Sequence, residues 1–284
     1  MSAPSITVNA PAKINLSLRV IGQRRDGFHE VDTLMTPVPG LFDTLTFTPA
    51  DEYTLTCDVA GIPLDDTNLI TRATQLFSSL TQLPCLAHIH LEKRIPHGAG
   101  LGGGSSDAAA TLLTWNQWHG QPLGEKALHD AAASLGSDVP FFLTGMTARA
   151  TGRGEILTPA STPPRQHLVL LKPSFHVSTP DAYARWKTAV ALPGVNYDPV
   201  ELPWATLVND LEKPVFGKFL FLAELKNWLQ ARPEVQTVLM SGSGSAMFAI
   251  LSDPNQAETL IQQVRDRLDP VIWAWQGTIG EEEA

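Results

Sequence analysis

Residues 96–111, PHGAGLGGGSSDAAAT, place five glycines within seven positions and pass directly into an alanine-rich segment. Glycine adopts positive φ angles easily and has no Cβ, so successive N–H groups of such a run can converge on one anion. We expect a helix to begin at Ser105 and to direct its unpaired N–H groups and positive dipole end at the same anion. The pattern predicts a phosphate-binding loop, to which Ser105 and Ser106 add hydroxyl groups.

Three other uses of glycine fit the sequence less well. A flexible linker does not usually lie between an alternating strand and a capped helix. Gly98, Gly100 and Gly103 match the G-x-G-x-x-G fingerprint of dinucleotide-binding folds, but that fold needs a strand after the helix. Here the segment EKALHDAAASLG predicts a second helix instead. A Walker loop is also disfavoured, because no Gly-Lys-Ser/Thr sequence follows the glycines.

The composition is that of an ordinary globular protein. A chain of 284 residues favours two domains, and 43% hydrophobic with 17% charged residues argues against disorder. The 20 Lys and Arg residues against 29 Asp and Glu residues give a net charge of −9, which disfavours broad binding to nucleic acid or to an anionic membrane surface. A small anionic ligand stays compatible with this charge, because backbone N–H groups bind phosphate by themselves.

We expect a cytoplasmic location. Cys57 and Cys85 are too few for a disulfide framework and indicate a reducing compartment. The N-terminal segment shows no basic region followed by an apolar stretch, so a signal peptide is not predicted. No apolar run reaches the roughly 18 residues that a membrane-spanning helix requires.

Strand patterns occur in both halves of the sequence. In AKINLSLRV, the side chains of Ile14, Leu16 and Leu18 alternate with polar ones, which predicts a strand with one apolar face. SITVNA predicts a separate strand before it, and the turn signal Asp26-Gly27 after it predicts a hairpin with HEVDTLMTPV. Further strands are predicted at DTLTFTP, YTLTCDV, CLAHIHLEKRIP, HLVLLKP, VQTVLM and AMFAIL, and a hairpin at TARATGRGEILTP.

Helix patterns alternate with these strands, so the sequence predicts an α+β protein. The helix after the glycine run has a predicted apolar face of Ala108, Ala109, Leu112 and Leu113, with Trp115 beyond. The proline-rich segment ASTPPRQ, residues 160–166, is the best candidate for a boundary. Other helices are predicted at DDTNLITRATQLFSSL with Asp or Thr as cap, EKALHDAAASLG, SDVPFFLTG, STPDAYARW, in further segments through residue 230, and at NQAETLIQQVRDRL.

The segment PHGAGLGGGSSDAA resembles the ATP-binding loop of the GHMP family of small-molecule kinases. APAKINLSLRVIGQRRDGFHEVDTL, LGSDVPFF, TGRGEILTP, STPDAY, ND at 209–210 and SGSGSAMF resemble further segments of the same family, in the same order. The resemblance implies a two-lobed GHMP-kinase fold. Its N-terminal mixed α/β lobe, residues 1–160, would carry the phosphate loop, and its C-terminal antiparallel α+β lobe would comprise residues 161–284.

The resemblance also implies ATP and Mg²⁺ as cofactors. The adenine is expected near Asn68 and Leu69, although TNLI reads equally well as the start of a helix. No acidic pair identifies the magnesium ligands, which stay unknown, as does the role of Asp107. A zinc site at His88 and His90 is disfavoured, because no cysteine pair or HExxH sequence accompanies them. The implied phosphate-loop residues are Pro96, His97, Gly98, Ala99, Gly100, Leu101, Gly102, Gly103, Gly104, Ser105 and Ser106.

Lys13 and Asp138 are the catalytic candidates. Phosphoryl transfer needs neutralisation of charge on the γ-phosphate and often a carboxylate that accepts the proton of the acceptor hydroxyl. Asp138 lies in GSDVP at the start of a predicted helix, where the alternative is a helix cap, and Lys13 lies on the polar face of a strand, where the alternative is a solvated lysine. The resemblance implies that Asp138 is the base and that Lys13 lies beside it and keeps it ionised.

The resemblance points to the segments GFHEV and STPDAY for acceptor binding. Phe28 and Tyr183 could stack on the two faces of a cytosine ring, and His29 could bind the polar edge of that ring. Asn15 and Thr179 are further candidate polar contacts. The alternative makes Phe28 a core side chain and His29 a surface residue.

The resemblance therefore implies an ATP-dependent kinase for the 2-hydroxyl of a cytidine diphosphate derivative of methylerythritol, in the non-mevalonate route to isoprenoids. Two alternatives stay open: a kinase of this family for another small alcohol, of the homoserine or mevalonate type, and a non-catalytic ligand sensor with the same fold. We expect no nucleic-acid or membrane partner, and a monomer or a homodimer.

Overall fold

The computed structural model describes residues 4–281, which form two compact units. Neither unit is a continuous stretch of chain, because the long strands β1 (Ile6–Gln23) and β2 (His29–Pro49) contribute residues to both. The division at residue 160 into an ATP-binding lobe and a second lobe stays a prediction. Unit 1 contains residues 4–12, 41–97 and 102–146, and unit 2 contains residues 13–40, 98–101 and 147–281.

Unit 1 combines short paired strands with four helices. Its further elements are β3 (Thr54–Cys57), α1 (Leu69–Thr81), β4 (Ala87–Glu92), α2 (Gly103–Trp118), α3 (Glu125–Leu135) and α4 (Val139–Thr144). The second half of β2 pairs antiparallel with β4, with Thr44 opposite Glu92, and β4 pairs parallel with β3. Phe47 of β2 meets Trp115 of α2 edge to face, with ring centroids 5.7 Å apart, so the helices cover the apolar face of these strands.

Helix α2 begins two residues earlier than the sequence predicts. Its first residue is Gly103 rather than Ser105, because Gly102 ends the loop as the N-cap with a left-handed φ of +74°, a conformation that glycine adopts without steric cost. Leu113, predicted on the apolar face, is 39% exposed, because it shares a helix face with the half-buried Ala110 and the exposed Gln117. The other predicted face residues are buried, namely Ala108, Ala109, Leu112 and Trp115.

Unit 2 contains a four-stranded antiparallel sheet in the order β10–β11–β7–β12, made of β7 (Gln166–Lys172), β10 (Val235–Met240), β11 (Met247–Leu251) and β12 (Trp273–Ile279). Apolar side chains of the sheet and of the helices form one buried core, in which Val169 and Val238 lie with Leu225 and Leu260. The helices of this unit are α5 (Thr179–Arg185), α6 (Glu212–Lys218), α7 (Leu220–Gln230) and α8 (Ala257–Arg267).

A second group of strands in unit 2 includes the C-terminal part of β1 and the N-terminal part of β2. β2 pairs antiparallel with β5 (Ala148–Gly152), which forms a hairpin with β6 (Ile156–Pro159) as predicted. β1 pairs parallel with β9 (Ala205–Asn209), which pairs antiparallel with β8 (Val200–Leu202). The predicted turn between β1 and β2 is confirmed, since Arg24 N–H donates to the carbonyl of Phe28 at 2.8 Å and Gly27 has a φ of +88°.

Four points of the strand prediction need correction. HEVDTLMTPV and DTLTFTP, predicted as two strands, form the single strand β2. SITVNA and AKINLSLRV form the single strand β1, because Pro11 between them holds a φ angle that a strand also uses. The region before residue 230, predicted as helices, contains the short strands β8 and β9. β12 was not predicted, because its side chains are mostly half-buried and leave little alternation of polarity. Within residues 4–281, no helix combines the length and the apolar character needed to cross a bilayer.

Candidate active site

The second part of the glycine run lies in unit 1 and forms the start of α2. The first helical hydrogen bond joins Ser106 N–H to the carbonyl of Gly102 at 2.9 Å, so the N–H groups of residues 103–105 have no partner within the helix. Gly102 supplies no side-chain cap that would occupy them. Unpaired N–H groups at a helix N-terminus favour an anion, and the binding of phosphate by these three residues stays a prediction.

Glycine is needed at residue 103 for steric reasons. A Cβ built on Gly103 would lie 2.9 Å from Nζ of Lys93 and 3.0 Å from Cγ2 of Ile95. Gly104 is exposed, and a Cβ there would lie 3.6 Å from Cδ1 of Leu69. Within unit 1, the chain is therefore closely packed at Gly103 and exposed at Gly104.

The two serines of the loop differ in accessibility. Ser105 is half-buried, whereas Ser106 is 1% exposed and its Oγ has no hydrogen-bond partner among the described residues. Ser105 is thus the better placed of the two hydroxyls for a ligand, and both roles stay predictions.

Asn68 and Leu69, the predicted adenine neighbours, mark the start of α1. Asn68 caps the helix, since its Oδ1 accepts from Ile70 N–H at 2.9 Å, so the predicted Asp or Thr cap is wrong. Its Nδ2 donates to the carbonyl of Pro63 at 2.6 Å. Leu69 is the side chain that faces Gly104, which places α1 beside the glycine-rich loop within unit 1.

Asp138, also in unit 1, immediately precedes α4. It is half-buried, its backbone has αR angles, and its side chain makes no capping hydrogen bond to the helix. The structure therefore gives no support to the alternative that Asp138 serves only as a helix cap. Its catalytic role stays a prediction.

Lys13, in unit 2, is buried, with 2% of its surface exposed. Its Nζ donates to Oδ1 of Asn15 at 2.6 Å and to the carbonyl oxygen of Gly100 at 3.1 Å, and its backbone N–H donates to the carbonyl of Leu101 at 2.9 Å. These bonds exclude the alternative of a solvated lysine and fix the ammonium group beside the first part of the glycine run.

Asn15 orients Lys13. Its Nδ2 donates to Oγ1 of Thr33 at 2.8 Å, and that hydroxyl donates to the carbonyl of Ser17 at 2.6 Å. Both ends of the Asn15 amide therefore contact protein groups, and the amide oxygen points at the ammonium. The predicted contact of Asn15 with the acceptor stays a prediction.

Gly100 packs directly on the segment SGSGS, residues 241–245. It has a φ of +77°, and a Cβ there would lie only 2.1 Å from the carbonyl oxygen of Ser241. Ser241 Oγ donates to the carbonyl of Gly100 at 3.0 Å, and Ala246 N–H donates to the carbonyl of Ala99 at 3.0 Å. No side chain fits between these two segments.

The other residues of the predicted loop differ in exposure. Pro96 is half-buried and His97 and Gly98 are exposed, whereas Ala99 and Leu101 are buried. Gly98 has a φ of +63°, so it bends the chain at the point where the loop becomes accessible.

Asn209, noted in the sequence only as part of the short ND match, holds the start of the 241–245 segment. Its Nδ2 donates to the carbonyls of Met240 and Gly242, both at 2.7 Å, and its Oδ1 accepts from Leu211 N–H at 2.9 Å. Its side chain is buried and fully used in this way. A buried asparagine with a hydrogen-bonding role is not distinguishable from a loop asparagine in the sequence.

Two of the predicted acceptor residues, His29 and Tyr183, form an aromatic group with Trp186 in unit 2, and the stacking of Phe28 and Tyr183 on a cytosine stays a prediction. Tyr183 lies against His29, with ring centroids 5.1 Å apart, and Trp186 meets His29 edge to face at 6.0 Å. Phe28 is 52% exposed with the guanidinium of Arg153 5.0 Å from its ring centroid, so the core alternative for Phe28 is wrong. Trp186 was missed, although its position three residues after Tyr183 is a helical neighbour spacing.

Thr179 and Ser243 share a hydrogen bond, with their hydroxyl oxygens 2.7 Å apart. Thr179 is exposed at the start of α5, and Ser243 lies at the centre of the SGSGS segment. The exposed hydroxyl of Thr179 and the buried hydroxyl of Ser243 therefore lie together within unit 2.

Comparison with known proteins gives a consistent result. The models for the GHMP kinases N terminal domain and the GHMP kinases C terminal domain match residues 68–146 and 199–269. Over 275 residues, the chain is 44% identical to 4-diphosphocytidyl-2-C-methyl-D-erythritol kinase of Methylacidiphilum infernorum, and the match covers 93% of this chain and 93% of that protein. The chain belongs to the GHMP kinase family. The same-named relative from Protochlamydia amoebophila is 42% identical and covers 87% of this chain and 84% of its own.

A solved structure of a GHMP kinase agrees with the fold. The crystal structure of 4-(cytidine 5'-diphospho)-2C-methyl-D-erythritol kinase has a TM-score of 0.77 and 36% sequence identity, and the match covers 97% of this chain and 100% of that one. The predicted α+β fold class with N- and C-terminal GHMP parts is thus confirmed. As a GHMP kinase, the chain is a small-molecule kinase that uses ATP.

We expect Gly100→Ala to weaken ATP binding and to lower stability. The new Cβ would overlap the carbonyl of Ser241 and would require a left-handed backbone, so the free energy of unfolding should fall by more than the about 1–2 kcal/mol of left-handed strain alone. Gly194→Ala is the matched control, because Gly194 has a φ of +75° and nothing within 4 Å of its ideal Cβ. In thermal unfolding and in the KM for ATP, Gly100→Ala should show the larger effect. Equal effects of the two variants would contradict close packing of the loop.

Proposed function

We propose that this GHMP kinase transfers the γ-phosphoryl group of ATP to the 2-hydroxyl of 4-diphosphocytidyl-2-C-methyl-D-erythritol, in the non-mevalonate route to isoprenoids. The observation that carries the proposal is the ammonium group of Lys13, buried and held by Asn15 at the carbonyl of Gly100 in the glycine run. The relatives that bear the name of this kinase, matched over most of the chain, support the choice of acceptor.

In this proposal the glycine run binds the phosphates of ATP. The N–H groups of residues 103–105 and the positive end of α2 favour an anion, and Gly104 gives the anion access. Leu69 would provide apolar contact for the adenine beside the loop. Because backbone amides supply this binding, it needs no cluster of basic side chains and agrees with the acidic overall charge.

Lys13 and Asp138 are assigned the catalytic roles. The carboxylate of Asp138 accepts the proton of the acceptor hydroxyl as its oxygen attacks phosphorus, and ADP leaves. The ammonium of Lys13 offsets negative charge on the transferring group. A fixed ammonium contributes more than a mobile one, because no energy is spent on orienting it during the reaction.

The aromatic group of His29, Tyr183 and Trp186 is assigned to the cytosine of the acceptor. Aromatic faces stack on bases without regard to their hydrogen-bonding edges, and His29 adds a donor or acceptor for the polar edge. Phe28 is exposed and provides a further face, already covered on one side by Arg153. The hydroxyls of Thr179 and Ser243 are candidate contacts for the polar part of the acceptor.

Magnesium would enter as the complex with ATP. Among residues 4–281 no group of three or more His, Cys, Asp or Glu side chains could hold a metal ion by itself. This fits an ion that is bound mainly by phosphate and water oxygens with one or two protein ligands. A cytoplasmic location and a monomeric or homodimeric state are part of the proposal.

The test of the proposal is acceptor-dependent release of ADP. With Mg-ATP, the purified protein should release ADP when 4-diphosphocytidyl-2-C-methyl-D-erythritol is added and should phosphorylate that compound stoichiometrically. Homoserine and mevalonate serve as matched acceptors. ADP release only with one of them would identify another kinase of the family, and nucleotide binding with no turnover on any acceptor would indicate a sensor.

Asp138→Asn should lower kcat by about 10²–10⁴-fold and leave the KM for ATP within about threefold, because the amide cannot accept the hydroxyl proton. Asp130→Asn is the control in the same unit, since Asp130 only pairs with Lys126 on the exposed face of α3. Steady-state kinetics with both variants, together with thermal unfolding, measure the effect. A folded Asp138→Asn enzyme with near-normal kcat would remove the assignment of the base.

Tyr183→Ala should raise the KM for the cytidyl acceptor about tenfold or more and leave the KM for ATP nearly unchanged, since stacking of one base on an aromatic side chain contributes about 1–3 kcal/mol. Tyr183→Phe should restore most of the affinity. Tyr197→Ala, which removes an aromatic ring packed near Phe216, is the control and should change neither KM. A parallel rise of both KM values in Tyr183→Ala would show that the ring is structural.

A further inference from the structure

A buried cluster of one lysine and two aspartates lies behind the glycine run in unit 1; we call Lys93, Asp43 and Asp107 the Lys93 cluster. Nζ of Lys93 bonds to Oδ2 of Asp43 and, at 2.8 Å, to Oδ2 of Asp107. The exposed fractions of the three side chains are 7%, 0% and 4%. Burying three charged groups costs free energy unless the groups are closely paired, as they are here.

The cluster joins the two segments that bound the loop. Oδ1 of Asp43 accepts from the N–H groups of Arg94 at 2.7 Å and Ile95 at 2.8 Å, which fixes the chain that leads from β4 into the glycine run. Asp107 lies on α2 just beyond the amides assigned to phosphate. Lys93 thus connects the chain before the loop with the helix after it, and a Cβ on Gly103 would lie 2.9 Å from its Nζ.

The charges of the cluster do not balance if both carboxylates are ionised. Asp43 has two backbone donors as well as the lysine, whereas Oδ1 of Asp107 has no hydrogen-bond partner among the described residues. Burial, opposed by Lys93 and reinforced by Asp43, raises the pKa of Asp107 to about 7. Burial alone would lower the pKa of Lys93, but Asp107 and Asp43 raise it, so the lysine is charged. Asp107 is the less well compensated carboxylate.

We propose that Lys93 is a positioning residue for nucleotide binding: it holds the start of α2 against the chain that enters the loop and offsets the charge of Asp107 beside the phosphate-binding amides. The proposal rests on the assignment of the glycine run to the phosphates of ATP. Without the ammonium, Asp107 would either keep its negative charge opposite Asp43 or take up a proton, and neither state leaves the start of α2 as it is beside Lys93. Nucleotide affinity should therefore depend on Lys93, although the side chain lies behind the loop.

The test measures the dissociation constant of ADP by calorimetry, without acceptor, so that it does not depend on the identity of the acceptor. Lys93→Met should weaken ADP binding about tenfold or more. Lys93→Met with Asp107→Asn should recover most of this loss, because the unbalanced carboxylate is gone. Asp107→Asn alone keeps Lys93 paired with Asp43 and should bind ADP at least as tightly as the wild type.

Lys226→Met is the matched control. Lys226 forms a buried ion pair with Glu212 in unit 2, with exposed fractions of 3% and 2%, at 2.5 Å. Its loss should lower thermal stability and leave ADP binding within about twofold. Equal weakening by Lys93→Met and Lys226→Met would overturn the proposal, because a general loss of stability would explain both.

Two further results would also overturn it: wild-type ADP affinity in folded Lys93→Met, or weakening of about tenfold in Asp107→Asn. The second result keeps the proposal testable if Lys93→Met does not fold. Gly100→Ala separates this proposal from the proposed function. If neither Gly100→Ala nor Lys93→Met changes ADP affinity, the loop assignment fails, whereas weakening in Gly100→Ala alone rejects only the positioning role.

Discussion

The carbonyl oxygen of Gly100 is the acceptor on which the buried polar groups around Lys13 depend. The ammonium of Lys13 and the hydroxyl of Ser241 both donate to it, at 3.1 Å and 3.0 Å. This double contact is possible only because residue 100 has no side chain: the space that a Cβ would need is occupied by the backbone of Ser241. The carbonyl of one glycine therefore accepts a hydrogen bond from a buried cation. It also joins three segments that are distant in the sequence: strand β1, the glycine run and residues 241–245.

The positions of the other polar groups follow from that contact. Lys13 can be buried as a cation because Asn15 gives it a second oxygen, and Asn15 is itself oriented by Thr33. Asn209 holds the strand end before Ser241 with two hydrogen bonds of 2.7 Å. In a medium of low dielectric constant, such bonds are costly to break, so the protein itself holds these polar groups in place. Preorganisation of this kind is what electrostatic stabilisation of phosphoryl transfer requires.

The sequence was most informative where backbone geometry alone carries the chemistry. The glycine run, its preceding strand and the following helix could be predicted, because the need for positive φ angles and free N–H groups appears directly as glycine. The position of Lys13 and Asn15 on one strand face followed from the two-residue period. The helix start at Gly103 was missed, since nothing in a run of three glycines shows which one adopts the left-handed cap.

The partners of buried charges could not be predicted for a physical reason. Lys93 and Asp43 are 50 residues apart, and only pairing of β2 with β4 brings them together. In the sequence Lys93 stands in EKRIP, where a solvated surface lysine is the ordinary interpretation. Asp107 stands out in the sequence because it follows the serine pair. The role of an acidic group beside a predicted phosphate site becomes clear only when the cation that pairs with it, here Lys93, is known. A negative charge at a helix N-terminus that binds an anion implies a buried positive charge that offsets it. A carboxylate that follows a glycine-rich loop is therefore a reason to search the preceding strand for a lysine.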